Sequence, residues 1–241
     1  MYSVGCLFMA SSPTTAKIAY TPANVVIENS TYNLDLNNDG IVDFSIPEGN
    51  SDDGGCFPHG GIRVFLNATA WHGNGIVGGT GLPIVGFPPP PAAALSTGAP
   101  IGPKRMYLGL STMAFGEHGW FRIFPPGMCE QVDINEGNWF GAINRYLGLK
   151  FQIDGKTHYG WARLSTQVFG NGFLAAKLTG YAFETIAGKT IKAGQTKEAD
   201  ESTNEDFGSG ASLTNPIPDT PQPLPVGRLM ATRIGFLIPR D

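Results

Sequence analysis

The chain has 241 residues and a formal net charge of −4, with 15% charged residues, 41% hydrophobic residues, 33 Gly and 19 Pro. That length accommodates one large all-β domain or two small ones around a real core, and the Gly and Pro content favours turns and loops over long helices. The low charge argues against repulsion-driven disorder. No Lys/Arg cluster offers a face for nucleic acid or an anionic membrane, and no stretch approaches the ~20 apolar residues of a stable transmembrane span.

Residues 1–16 open the chain with an apolar run. Tyr2, Val4, Cys6 and Phe8 alternate with Ser3, Gly5 and Leu7, which is strand patterning with one apolar exception. The competing reading is a residual leader, with Tyr2 to Ala10 as its apolar part and small residues at Thr14 to Ala16. The segment is therefore either a strand that can be donated to a neighbour or the remnant of an export signal.

Residues 17–188 read as a β-sandwich domain. "KIAY" and "NVVIE" lead into "TYNLDL", then "IVDFSI" and "GIRVFLNATAW" follow. Residues 73–103 form a Gly/Pro-rich excursion too long for an ordinary connection, with polyproline character at Pro88 to Pro91. It either packs on the surface or reaches a neighbour. "RYLGLKFQI" and "THYGWARLS" flank Asp154–Gly155, a two-residue hairpin signal. "NGFLAAKLTGYAFETI" is a further strand pair or one long bent strand. Short strands separated by turn residues predict an all-β fold, a β-sandwich with long Gly/Pro-rich loops and extended terminal segments. From residue 189 to 225 the chain turns acidic and then Pro-rich, which reads as a flexible arm. Residues 226–241, "VGRLMATRIGFLIPRD", end it with an apolar segment.

The most specific motif is "LDLNNDGIVDF". Read as a calcium loop, Asp35, Asn37 and Asp39 take positions 1, 3 and 5, and Gly40 takes the sharp turn at position 6. The Ile41 carbonyl takes position 7 and Asp43 position 9. Ca²⁺ is a hard cation that wants six or more oxygens, and alternating carboxylates and amides converge when such a loop wraps one ion. Position 12 is Ile46, where a helical calcium sensor has a bidentate Glu. Glu48, Asp52, Asp53 or water are the candidates to close the shell. The plainer alternative is a solvated Asp/Asn/Gly turn. The flanks are strand-like, which points to a structural clip instead of a calmodulin-type switch.

"DLNNDGIVDF" resembles the DxNxDGxxD loops of FG-GAP repeats, thrombospondin type 3 repeats and dockerins. The likeness covers about ten residues and implies the loop and its ion, not a propeller. "YNLDLNNDGIVDF" with "RYLGLKFQIDGKTHYGWARL" resembles secreted bacterial proteins of unknown function that carry a PEP-CTERM sorting tail. "PQPLPVGRLMATRIGFLIPRD" has a similar layout, but Gln222 stands where that family has Glu, and Arg228 and Arg233 interrupt the apolar stretch. The resemblance implies export. In an exported protein Cys56 and Cys129, both in Gly/Pro-rich sequence, are the expected disulfide, with Cys6 left over; the alternative is two buried free thiols.

No catalytic constellation stands out. His59, His72, His118 and His158 lack metal-ligand spacing, and "GLSTM" near Ser111 does not fit a nucleophile elbow. Glu117 with Glu130 or Asp133 is a conceivable glycosidase pair, with His118 beside it. Trp71, Trp120, Trp139 and Trp161, with Phe121, Phe140 and Tyr159, are candidates for a sugar platform, though most are expected in the core. Asn29 and Asn67 open Asn-X-Ser/Thr sequons. These features predict a non-enzymatic, extracellular, calcium-stabilised subunit that assembles with copies of itself, with a fibre built by strand addition as the leading form. A monomeric carbohydrate- or surface-binding module is the alternative.

Overall fold

The computed structural model describes residues 17–52, 61–80, 90–123, 128–169 and 172–197. The chain divides into two units, Met1–Asp200 and Glu201–Asp241, and the second lies wholly outside the described residues. So do residues 1–16 and 226–241, on which the expectation of strand donation falls.

The described chain is all strand, with 13 strands in sequence order. Those before the excursion are β1 (Ile18–Ile27), β2 (Ser30–Leu34), β3 (Phe44–Asp52) and β4 (Gly61–Ala70). Within and after it come β5 (Gly75–Val77), β6 (Pro100–Ile101), β7 (Tyr107–Leu108), β8 (Leu110–Ile123) and β9 (Met128–Glu136). The last four are β10 (Arg145–Ile153), β11 (Lys156–Val168), β12 (Leu174–Glu184) and β13 (Ile191–Lys192). A six-stranded sheet runs β1-β12-β11-β10-β5-β7, and a five-stranded sheet runs β2-β3-β4-β8-β9.

The two sheets pack around one apolar cluster. Phe44, Ile46, Val64, Leu66 and Ala114 contribute from the five-stranded sheet, and Leu147, Leu149, Phe151, Leu164 and Leu178 from the six-stranded one. All are fully buried, each worth roughly 1.5–3 kcal/mol for the larger side chains. Strand alternation selects them: residues 44 and 46 point inward while Ser45 and Pro47 face out. Between β4 and β8 the register shifts after Leu66, so that Met113 is the extra residue and inserts into the core.

The Asp154–Gly155 hairpin forms as its sequence predicts. β10 and β11 pair from Arg145↔Leu164 to Ile153↔Lys156. Asp154 (φ 50) and Gly155 (φ 72) both adopt positive φ, the geometry that matches strand twist in a two-residue turn. The single segment after it, β12, is one strand and not a pair.

A second apolar cluster lies on the six-stranded sheet, joining Tyr146, Tyr159, Trp161 and Ala182 to Val77, Leu95, Ile101, Ile191 and Ala193. Part of the Gly/Pro-rich excursion therefore packs back on its own domain. Its Pro100–Ile101 strand pairs with β13. Residues 189–197, expected to begin the arm, are instead part of this packed layer, and the rest of the expected arm lies outside the described residues. Ile191 and Ala193 are buried, and the Trp161 indole N–H donates to the Gln195 carbonyl at 3.2 Å. Ile191 and Ala193 pack against the sheet while Lys192 between them stays exposed.

Candidate metal centre

The acidic loop joins β2 to β3, and its base is closed by the pair Leu34↔Phe44 and by the Asp43 amide donating to the Leu34 carbonyl at 2.9 Å. It is a strand-to-strand loop, as the flanks predict. Asn38 (φ 59) and Gly40 (φ 90) supply the left-handed residues that curl it. The Asp35 carboxylate accepts the amides of Asp39 at 3.1 Å and Gly40 at 2.7 Å. Asp39 accepts the Ile41 amide at 2.8 Å and the Asn37 side-chain amide at 2.9 Å. Asp43 is buried and accepts from the Leu36 amide at 2.9 Å and from Asn74 Nδ2 at 3.0 Å.

Burial pushes the Asp43 carboxyl above its ordinary range, and the Asp39 and Asp35 charges push it further, against the two hydrogen bonds. The three carboxylates therefore feel one another. They are not gathered into a cluster: among the described residues no group of three or more His, Cys, Asp or Glu side chains is placed to hold a metal ion. The loop holds its acids on backbone amides instead.

The residues present nonetheless suit a hard cation. All five candidate donors, Asp35, Asn37, Asp39, the Ile41 carbonyl and Asp43, offer oxygen. Asn37 Oδ1 is buried and accepts no hydrogen bond, which is the acceptor a cation would satisfy. A carboxylate oxygen that takes one amide keeps a lone pair for an ion. Asp35, Asn37, Asp39 and Ile41 are alternating positions of one curl.

The residues expected to close the shell lie elsewhere. Glu48 pairs with Ser30 at the far end of the hairpin, four positions from the Leu34↔Phe44 pair, about 13 Å along the strand. Asp52 ends β3 farther still, opposite Ile62. Asp53 lies outside the described residues. Ile46, at position 12, is a fully buried core residue.

The sequence reading missed Asn74. Its Nδ2 donates to Asp43 and its Oδ1 accepts the Gln152 amide at 3.1 Å, so one buried side chain ties the loop to β10 in the opposite sheet. Nothing local marks it, because the contact spans 78 positions in the chain. It also missed the environment of Glu48, although "DFSIPE" places position 48 in phase with Phe44 and Ile46. Glu48 is buried on the core side, with one oxygen accepting the Asn29 amide and the other without a partner. Burial, with the Glu28 charge adding to it, pushes its carboxyl up to about 7.

The imagined catalytic groups do not converge. Glu117 and His118 are adjacent in β8 and face opposite sides. Glu117 is paired with Arg63 at 2.6 Å, whereas His118 Nδ1 meets Asp133 at 2.7 Å on the other face. Glu130 sits across from Phe121, four positions from the residue opposite Glu117, about 13 Å away and beyond the separation of glycosidase carboxylates. His158 is a buried structural residue whose Nδ1–H donates to the Glu184 carbonyl at 2.9 Å. His72 is exposed with φ 55, and His59 lies outside the described residues.

Of the aromatic candidates, Trp139, Trp161 and Tyr159 are buried and Phe140 is half-buried, as expected for core. Trp71 differs at 47% exposure and is anchored beside the loop, its amide donating to the Asp43 carbonyl at 2.9 Å. Trp120 and Phe121 lie in β8, and their side chains are not described. In the first sequon the Asn29 side chain accepts from the Asn50 amide at 2.8 Å. Asn67 of the second is a half-buried residue of β4. Cys129 is disulfide-bonded; Cys6 and Cys56, the other two cysteines, both lie outside the described residues.

The chain matches no protein-family model, no curated protein and no solved structure. Among the described residues no helix is long and apolar enough to cross a membrane.

Proposed function

We propose that the chain is an exported, non-catalytic structural subunit, a β-sandwich clipped by Ca²⁺ at Asp35, Asn37, Asp39, Ile41 and Asp43, that assembles with copies of itself by strand addition. The observation that carries assembly is the edge strand β9. It ends the five-stranded sheet among the described residues, contains no proline, and keeps unbroken register with β8 from Glu136 to Met128. The other long edge, β1, is interrupted at Pro22 by a register shift, a device that blunts edges. Glu130, Asp133 and Glu136 make the β9 edge acidic, and the apolar segment 226–241 carries Arg228, Arg233 and Arg240. That segment of a second copy is the natural donor, and head-to-tail donation gives filaments because it does not close.

Export is supported by the disulfide at Cys129, since such bonds persist in oxidising compartments. Cys56 is the partner we propose, and peptide mapping under non-reducing conditions checks it. Calcium at extracellular, ~millimolar concentration suits a loop of this kind. Negative-stain microscopy of purified chain tests assembly: filaments that disappear when residues 226–241 are deleted support it, and only monodisperse monomers with and without Ca²⁺ sink it. The alternative of a ligand-binding module gains one specific observation, the exposure of Trp71 beside the loop.

A further inference from the structure

We infer that the outer face of the five-stranded sheet, around Trp71, is a binding site for an uncharged sugar chain. The inference rests on the fixed placement of one aromatic ring and not on assembly or on the ion.

The Trp71 indole is held by a relay of side chains. Its Nε1–H donates to Ser45 Oγ at 2.8 Å, and the Ser45 hydroxyl donates to Asn33 Oδ1 at 2.8 Å. The polar atom of the indole is thereby satisfied inside the protein, while 47% of the residue faces solvent. Ser45 is itself buried, which places the ring over the sheet. A ring without a free polar atom, pinned and open on one face, is preorganised for stacking on the C–H face of a pyranose.

The surroundings suit the same ligand. Asn33, Ser45, Thr69 and Leu110 form one cross-strand row over four adjacent strands, about 14 Å across. Asn33 is exposed, and its Nδ2 has no partner among the described residues, leaving a donor for a sugar hydroxyl. The next row, Thr31, Pro47, Asn67 and Thr112, is also free of charge. Charge returns farther along, at Glu136 and at the Arg63–Glu117 pair. One rigid aromatic ring, a half-exposed Leu110 and a field of short hydroxyls and amides recognise a neutral polyol ring. Neither row carries a cation for an anionic polymer, and a protein hot spot of this size would be expected to carry more apolar surface than Trp71 and Leu110.

Isothermal titration of the intact chain with cellohexaose, mannohexaose and chitohexaose, and with a sulfated hexasaccharide as the charged comparator, tests the inference. At least one neutral oligosaccharide is expected to bind and the sulfated one not. Trp71→Ala should weaken binding about thirtyfold or more, as for an aromatic anchor, Trp71→Phe should weaken it less, and Asn33→Ala about fivefold. Melting curves of the variants establish that each is folded. Absence of binding by all three neutral probes overturns the inference, and so does binding that Trp71→Ala leaves unchanged. Loss of self-association in Trp71→Ala without any sugar binding also overturns it, because the face would then join copies of the chain.

Discussion

The β2–β3 hairpin carries acids at both of its ends and treats them in opposite ways. At the loop end Asp39 is exposed and Asp35 half-buried, and each collects two hydrogen-bond donors. At the other end Glu48 is buried against the core, with one oxygen unpartnered and hydrogen bonds from Asn29 and Asn50 too few to offset its burial. Burial separates the two ends. It favours the neutral form of Glu48 against its hydrogen bonds, whereas the loop amides hold Asp35 and Asp39 at the surface. Asp43 stands between these cases, buried like Glu48 but bonded to Leu36 and Asn74 like a loop acid.

Breaking the Glu48 end should give the largest effect. The folded chain keeps the Glu48 proton up to about pH 7, while the unfolded chain releases it near 4.5. Between those values the folded state binds more protons, so stability is full below pH 4.5 and falls as pH rises toward and through 7. The loss approaches ~3.5 kcal/mol at most, for a rise from 4.5 to about 7 at about 1.4 kcal/mol per unit. Glu48→Gln should remove this slope and raise the melting temperature at pH 8 relative to the parent, while leaving it nearly unchanged at pH 4. A parent whose stability is flat from pH 5 to 8 would show that the buried carboxyl is better solvated than its surroundings imply.

The proposed calcium loop is the opposite end. With the ion at some tens of times its Kd, the chain should gain about 2 kcal/mol, reversed by EDTA. Asp39→Ala should abolish the gain, and Glu48→Gln should leave it intact. A thermal shift equal in the two variants would mean that the hairpin ends are not independent. Asn74→Ala comes next, at about 1–2 kcal/mol, because it leaves a buried Asp43 oxygen and the Gln152 amide without their partner. Its stability loss should appear with and without Ca²⁺, as measured by chemical denaturation.

Much of this molecule could be read along the chain, and the unread part is long-range. The Asp154–Gly155 hairpin was legible because turn chemistry and flanking alternation are local. The strand-to-strand nature of the acidic loop was legible for the same reason. The packing of residues 189–197 was not, since "KTIKAG" looks like linker until Ile191 finds Ile101 some ninety positions earlier. Asn74 and the partition of the tryptophans were hidden likewise: Trp71 directly follows β4 and Trp161 lies in β11, and the layer covering Trp161 distinguishes them. Glu48 is the instructive case, because its inward phase was present in the alternation of Phe44 and Ile46 and simply conflicted with the expectation that a carboxylate faces water.

The smallest effect sharpens the comparison from the backbone side. Gly40 has φ 90, and a Cβ there would meet nothing within 4 Å. Gly40→Ala therefore introduces no clash, and its cost is the conformational one alone, about 1 kcal/mol. The strain falls on the residue whose amide holds Asp35 at 2.7 Å. Relaxing that φ pulls the amide from the carboxylate, so the variant should lose calcium affinity by several-fold while melting only a few degrees lower in EDTA. Titration of Ca²⁺ by calorimetry measures the first and a thermal scan the second. If affinity is unchanged while stability drops, the Asp35 carboxylate is not a ligand, and the loop's hydrogen bonds are its whole role. If affinity drops and the Glu48-dependent pH slope stays as it was, the two ends of the hairpin are separate devices, one built on donors and the other on burial.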